Sequence, residues 1–87
     1  MAFEYDPNKS ELNRAKHGID FENAKRLWAD TRLVRVPARS EGEYRIMFVG
    51  RIDDHIWSAV CVYRGEVIRI ISVRRSRPGE IENYESN

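Results

Sequence analysis

The residues of this sequence that could carry out chemistry are an adjacent lysine and histidine and a set of arginines further along the chain. Cutting RNA without a metal ion requires a group that takes the 2′-hydroxyl proton, cations for the charge that builds on the phosphate, and a donor for the leaving oxygen. Lys16 or His17 could transfer protons, because histidine titrates closest to neutrality of all side chains. The predicted phosphate clamp consists of Arg45, Arg69, Arg74 and Arg75. Tyr84 is predicted to stack on a base or to donate a proton.

Arginine replaces lysine as the basic residue in the second half of the chain. Between Arg64 and Arg77 there are five arginines against the single glutamate Glu66, although the formal net charge of the whole chain is only +1. The planar guanidinium suits phosphate and keeps its charge when buried, so this pattern favours a phosphate-bearing partner. Arg64 is a weaker candidate because it lies in a predicted turn. The alternative is that these arginines pair with carboxylates such as those of Glu41 and Glu43.

A metal site is a competing interpretation of three consecutive residues, Asp53, Asp54 and His55. They lie in a predicted hairpin turn, where aspartate is common for its turn geometry, and no second histidine or cysteine cluster accompanies them. Cys61, in the apolar run AVCVY, is predicted to be a small buried hydrophobic residue rather than a nucleophile. We therefore expect no metal ion or other cofactor.

Two helices are predicted upstream of the arginines. Asp6 and Pro7 are typical of a helix start, and the helix should end at about His17, with Gly18 providing a left-handed stop. Lys16 and His17 would also stabilise the end of this helix by their positive charge, which is an alternative to a catalytic role. Asp20 is predicted to cap a second helix, whose core face consists of Phe21, Ala24, Leu27 and Trp28.

The remaining apolar runs have the spacing of strands. They are AFEY at the start of the chain, LVRV closed by Pro37, and then RIMFVG, HIWSAVCVY and EVIRIIS. The polar segment PARSEGE follows LVRV, and turns are predicted from Gly50 to Asp54 and at Arg64 and Gly65.

The expected fold class is α+β, in the order β-α-α followed by an antiparallel β-meander of four or fewer strands and a short C-terminal helix from Pro78. Some strands carry apolar residues at both odd and even positions, and therefore on both faces of the sheet. We expect the helices to cover one face and something else to cover part of the other face. The concave face opposite the helices is expected to remain free for a ligand. Arg69 alternates with Ile68 and Ile70 in this sheet, and must therefore be paired, partly exposed or functional.

The length of 87 residues predicts a single domain over 1–87. Hydrophobic residues make up 41% and charged residues 33%, too apolar for a disordered tail and too charged for a membrane protein. The sequence shows neither a membrane-spanning segment nor a signal peptide, so we expect a cytoplasmic protein without a membrane partner. So small a fold exposes much of its surface, and we expect a partner protein or a homo-oligomer to cover apolar area.

Three sequence blocks together resemble the BrnT toxins of BrnT/BrnA toxin-antitoxin systems. They are NRAKHGIDFENA at 13–24, EYRIMFVGR at 43–51, and IRIISVRRS at 68–76 followed by ENYES; the opening FEYDPNKSELN fits as well. The resemblance implies a bacterial or archaeal ribonuclease toxin with a RelE-like fold, which inhibits translation by cutting RNA. It also implies a BrnA-like antitoxin, a ribbon-helix-helix DNA-binding protein that masks the toxin and carries the complex to its operator DNA.

The family motifs map onto this chain position by position. The lysine-histidine-glycine motif of the family corresponds to Lys16 to Gly18. The glutamate and arginine that precede the second strand correspond to Glu43 and Arg45, and the arginine block corresponds to Ile68 to Arg74. The late tyrosine corresponds to Tyr84, and the late glutamate corresponds to Glu80 or Glu82.

Two departures from the family pattern keep other functions open. Val73 and Ser76 stand where alanine is expected, which adds bulk or a hydroxyl group beside the arginines. One alternative is therefore a degenerate toxin, folded and able to bind its antitoxin but inactive. A separate alternative, which does not depend on these departures, is a non-catalytic binding module whose arginine face docks an antitoxin or nucleic acid.

Overall fold

The computed structural model describes residues 1–38, 42 and 44–86. These residues form the predicted mixed α+β structure, with one five-stranded sheet. The strands are β1 (Ala2–Glu4), β2 (Val34–Ala38), β3 (Arg45–Ile52), β4 (His55–Arg64) and β5 (Val67–Arg75). The helices are α1 (Pro7–His17), α2 (Phe21–Ala24), which continues as a 3-10 helix (Lys25–Ala29), and α3 (Pro78–Glu85). In this part of the chain, no helix is long and apolar enough to cross a membrane.

The strands lie in the order β1-β5-β4-β3-β2. The run from β2 to β5 is the antiparallel meander that the sequence predicts. The predicted first strand, β1, pairs in parallel with β5, with Glu4 opposite Arg69, so the complete sheet is mixed and not purely antiparallel. These paired residues are 65 positions apart, and no local pattern signals such a contact. Pro37 lies within β2 instead of ending it. A proline is tolerated there because β2 is an edge strand of the sheet.

The predicted ends of α1 are confirmed. The side chain of Asp6 accepts a hydrogen bond of 2.8 Å from the backbone N–H of Asn8, and Pro7 occupies the first helical position. Gly18 ends the helix at a φ of 83°, and its N–H donates to the carbonyl of Arg14. Only glycine adopts this left-handed conformation without steric cost, so the stop is encoded locally.

The second helix starts as predicted but is shorter. Asp20 accepts a 2.8 Å hydrogen bond from the backbone N–H of Asn23, and the α-helical winding ends at Ala24, where the tighter 3-10 helix begins. The predicted core face is nevertheless buried at Phe21, Ala24 and Leu27, while Trp28 is half-buried. The periodicity therefore predicts correctly which side of this segment faces the core. It does not predict that the second half of the segment is a 3-10 helix instead of an α-helix.

The face of the sheet that α1 and α2 cover, called here the helix face, carries the main core. Asn13 fastens α1 to β5: its side-chain nitrogen donates to the carbonyls of Ile19 and Val73 at 2.8 Å, and its oxygen accepts from the N–H of Val73 at 3.1 Å. Cys61 is buried here, and burial raises the pKa of its thiol to about 12. This confirms the prediction that Cys61 is a packing residue.

The opposite face, called here the α3 face, is partly covered by the C-terminal helix. Ile81 and Tyr84 of α3 pack on Val49 and Ile56 in a second, smaller core cluster. The expectation that something would cover part of this face is confirmed, and the covering element is α3. The part of the face under α3 is consequently not free for a ligand.

The first hairpin turn is shorter than predicted, and the second lies one residue later than predicted. β3 extends to Ile52, which pairs with His55, so only Asp53 and Asp54 form the first turn. Asp53 adopts a left-handed φ of 54°, which aspartate tolerates better than most residues. In the second turn, β4 continues through Arg64, and residues 65 and 66 make the reversal.

Candidate functional site

The predicted site residues are divided between the two faces of the sheet by a β-bulge in β5. The pairing with β4 shifts at the step between Val60 and Cys61, so β5 has one extra residue there, Ile71. An extra residue reverses the alternation of side chains beyond it. Arginines on either side of the bulge therefore do not follow the simple odd and even pattern.

The bulge places neighbouring arginines on opposite faces. Arg74 pairs across the sheet with Ser58 and shares the α3 face with Arg69, whereas Arg75 pairs with Trp57 on the helix face. The predicted clamp of four arginines is thus not one constellation, and the structure brings together only some of its members.

The helix face contains a cleft of about 250 Å³, called here the α1 cleft. Residues that line it include Arg14, Gly18, Asn23, Arg26, His55 and Trp57. The guanidinium of Arg75 lies over the ring of Trp57, 5.7 Å from the ring centroid. In the described part of the chain, Arg75 forms no ion pair with a carboxylate, so its charge remains available beside the cleft.

Lys16 and His17 form the last turn of α1, immediately before Gly18 of the cleft lining. Lys16 is exposed and His17 is half-buried. The contact between Asn13 and Val73 holds α1 along β5, so the end of α1 lies toward the end of β5 that carries Arg75. The predicted proton-transfer residues and one predicted clamp arginine are therefore at the same end of the molecule.

His55 is a candidate that the sequence analysis considered only as a metal ligand. It is the exposed first residue of β4 and lines the α1 cleft two positions before Trp57, on the same side of the strand. That spacing in HIW was the available signal, because alternate residues of a strand share a face.

The competing metal interpretation receives no support from the residues around His55. Among residues 1–38, 42 and 44–86, no group of three or more His, Cys, Asp or Glu side chains could hold a metal ion. Asp53 instead forms an ion pair of 2.6 Å with Arg26, whose hydrogen bond lowers the pKa of Asp53.

Arg45 and Arg69 lie on the α3 face, beyond the part that α3 covers. Arg69 forms a 2.7 Å ion pair with Glu4 of the neighbouring strand, and the more exposed Arg64 is 3.9 Å from the same carboxylate. Arg45 is half-buried, and its Nε atom is buried without a hydrogen-bond partner in the described residues. Glu43, its expected partner, lies outside the described residues.

Arg74 is bound within the fold. Its guanidinium donates to both carboxylate oxygens of Glu80 at 2.8 and 2.9 Å, and Ser58 and the N–H of Arg77 also donate to that carboxylate. The hydrogen bond from Arg74 leads the causes that lower the pKa of Glu80 to about 2. Of the two late glutamates that the family motif left open, Glu80 is the one paired with an arginine, whereas Glu82 is exposed.

Tyr84 is buried and does not present its ring to a ligand. Its hydroxyl donates a 2.7 Å hydrogen bond to Asp30, and burial followed by this hydrogen bond raises the pKa of Tyr84. The sequence analysis predicts that Tyr84 stacks on a base or donates a proton; here its ring is buried and its hydroxyl is bound to Asp30. Its ring instead helps attach α3 to the sheet.

The two departures from the family motif are accommodated without strain on the cleft. Val73 is fully buried in the core of the helix face. The hydroxyl of Ser76 is 2.8 Å from that of Ser58, in the network that surrounds Glu80. Neither residue is among those that line the α1 cleft.

The cleft lining includes arginines and a tryptophan, and in nucleic-acid-binding proteins arginine binds phosphates and aromatic rings stack on bases. The model of one protein family, the ribonuclease toxin BrnT of type II toxin-antitoxin systems, matches residues 5–80. The match covers most of the chain, and the chain belongs to this family, as the three sequence blocks predict. No curated protein matches the chain.

Proposed function

We propose that this protein, as one domain over residues 1–87, is an endoribonuclease that cuts RNA at the α1 cleft without a metal ion. The observation that carries the proposal is that His55 and the end of α1 meet beside the stacked pair of Arg75 and Trp57. The chain has two histidines: His55 lines the cleft, and His17 immediately precedes Gly18 of the cleft lining. Family membership supports the reaction, and the cleft supports its place.

In the proposed reaction, one histidine of the pair His17 and His55 removes the proton from a 2′-hydroxyl group. The freed oxygen attacks the adjacent phosphorus, the bond from phosphorus to the 5′-oxygen breaks, and the other histidine protonates the leaving oxygen. The products are a 2′,3′-cyclic phosphate and a 5′-hydroxyl. Arg75 stabilises the negative charge that builds on the phosphate. Lys16 is an alternative proton-transfer group on the same turn of α1.

Arg45 and Arg69 are proposed to bind the antitoxin. They flank a row of half-buried apolar residues on the open part of the α3 face, formed by Val36, Met47 and Val60. An apolar surface bordered by arginines suits a protein segment that carries both apolar and acidic residues. We propose a BrnA-like ribbon-helix-helix protein as this partner, which connects the complex to operator DNA.

Two broader proposals follow from the same family membership. A RelE-like fold is supported by the two N-terminal helices on one face of an antiparallel meander, and comparison with solved toxin structures would test it. A cytoplasmic location is supported by the substrate, because a toxin that stops translation acts where ribosomes and messenger RNA are, and fractionation of cells would test it.

The test is incubation of purified, antitoxin-free protein with total RNA in excess EDTA. We expect cleavage by the wild-type protein and by the surface control Lys9→Ala, and strongly reduced cleavage by His55→Ala and Arg75→Ala. A larger loss in Arg69→Ala than in Arg75→Ala would move the catalytic site to the α3 face. Intact RNA with a folded wild-type protein would instead favour the non-catalytic binding module or the degenerate toxin.

A further inference from the structure

The α1 cleft has an apolar floor that proton transfer does not require. Ile19 and Ile52 are almost fully buried beneath it, and half-buried Trp57 forms part of its wall. A flat aromatic and aliphatic surface at the base of a polar cleft suits the flat face of a nucleobase, which stacks on aromatic side chains regardless of its edge.

The rim of the cleft carries groups that could read the edge of such a base. Asp20 accepts hydrogen bonds from the backbone N–H of Asn23 at 2.8 Å and from its side-chain nitrogen at 3.0 Å. Both bonds from Asn23 reach Oδ1 of Asp20, and the backbone N–H of Glu22 also interacts with this carboxylate. The backbone N–H of Asn23 is the leading cause that lowers the pKa of Asp20, which keeps the carboxylate ionised. An ionised carboxylate accepts hydrogen bonds and donates none.

A cation for the phosphate lies on the same rim. Arg26 lines the cleft, and within the described part of the chain its side chain is held only by an ion pair with Asp53, in which 53% and 71% of the two side chains are exposed. Exposed pairs of this kind are weak, so Arg26 can exchange Asp53 for a phosphate at little cost. The apolar floor matches the face of a nucleobase, the rim matches the hydrogen-bonding edge of that base, and Arg26 matches a phosphate.

We propose that the α1 cleft is a subsite for a guanine nucleotide of the RNA, with the base against Trp57, its pairing edge at Asp20 and its phosphate at Arg26. Guanine is the RNA base whose pairing edge presents two neighbouring N–H donors, and Oδ2 of Asp20, which receives neither hydrogen bond from Asn23, can accept from them. The inference rests on the proposed function, since it takes RNA as the molecule that enters the cleft.

The experiment is isothermal titration calorimetry of the full chain with guanosine, adenosine, cytidine and uridine 5′-monophosphates. We expect the guanine nucleotide to bind at least tenfold more tightly than the other three. The informative variant is Asp20→Asn, because asparagine caps a helix as well as aspartate does but replaces one acceptor oxygen with a donor. In this variant we expect at least a tenfold loss of affinity for the guanine nucleotide and little change for the adenine nucleotide.

Equal binding of the four nucleotides, or a guanine preference that survives in Asp20→Asn, would overturn the inference. An unfolding midpoint of Asp20→Asn equal to that of the wild type shows that the loss of affinity is not a loss of fold. The RNA assay separates this inference from the proposed function. Guanine binding without cleavage of RNA supports the subsite and removes the ribonuclease, whereas cleavage without any guanine preference, in binding or at the sequenced cut ends, removes the subsite alone.

Discussion

The arginines of the two faces differ in what holds them. On the α3 face, Arg69 and Arg74 are bound to carboxylates of the fold, Glu4 and Glu80. On the helix face, Arg75 lies over an aromatic ring and keeps its charge beside an open cleft. The guanidinium of Arg74 donates to both oxygens of a carboxylate, whereas in the described part of the chain Arg75 forms no ion pair, so we expect these neighbouring arginines to have different roles.

The largest expected effect tests whether the helix face is the catalytic one. Replacing His55 with alanine should lower the rate of RNA cleavage by about 10²-fold to 10⁴-fold, the usual contribution of a positioned acid or base. Because His55 is exposed, the free energy of unfolding should change by no more than about 0.5 kcal/mol. Single-turnover cleavage and urea denaturation measure the two quantities. A rate equal to that of Lys9→Ala would show that the cleft is not the site of cleavage.

Acid should weaken the attachment of α3 to the sheet, because it protonates Glu80. The pKa of Glu80 is lowered from 4.5 to about 2 in the folded state. A carboxyl group with a depressed folded pKa stabilises the protein above its unfolded pKa and loses this contribution as the pH falls through its folded pKa. The free energy of unfolding should therefore fall between about pH 5 and pH 2, by up to about 3 kcal/mol from this group.

The variant Glu80→Gln isolates this group in the acid titration. We expect it to be less stable than the wild type at pH 7 and to lose less stability on acidification, as followed by circular dichroism in urea at each pH. Parallel curves for the two proteins would show that Glu80 is not the carboxylate responsible. Glu82→Gln, at an exposed position of the same helix, is the matched control.

The sequence predicts the local features of this fold better than the contacts between distant segments. The starts of α1 and α2 and the stop at Gly18 follow from residues within four positions of one another, and all are found. The parallel pairing of β1 with β5 depends on a residue pair 65 positions apart and was missed. Local chemistry can be read from single residues, whereas pairing is decided by the whole chain.

The faces on which the arginines of β5 lie could not be predicted from local sequence either. Strict alternation along β5 would place Arg69 and Arg75 on one face and Arg74 on the other, but the bulge at Ile71 exchanges the last two. Nothing in the run of apolar residues marks where an extra residue is inserted. Residue types therefore show that arginines are concentrated in this part of the chain, but not which face of the sheet each of them lies on.

Arg74 should contribute more to stability than to cleavage. Replacing it with alanine leaves Glu80 partly buried without its strongest partner, which should cost about 2–3 kcal/mol of unfolding free energy. Urea denaturation at neutral pH measures the loss. The double variant Arg74→Ala with Glu80→Ala should be less destabilised than the sum of the single variants, because the two residues share one interaction. Strict additivity would show that the bidentate contact contributes nothing.

The smallest expected effect is that of Arg75 on stability, and it decides the comparison of the two faces. Its contact with Trp57 is a cation–π interaction of an exposed arginine, which is worth about 0.5–1 kcal/mol. Arg75→Ala should therefore unfold at nearly the wild-type urea concentration while losing cleavage. Arg74→Ala should show the opposite combination, a clear loss of stability with cleavage retained under conditions where it is fully folded. If both variants lost stability equally and activity equally, the bulge would not separate a structural arginine from a functional one, and the α1 cleft would lose its strongest support.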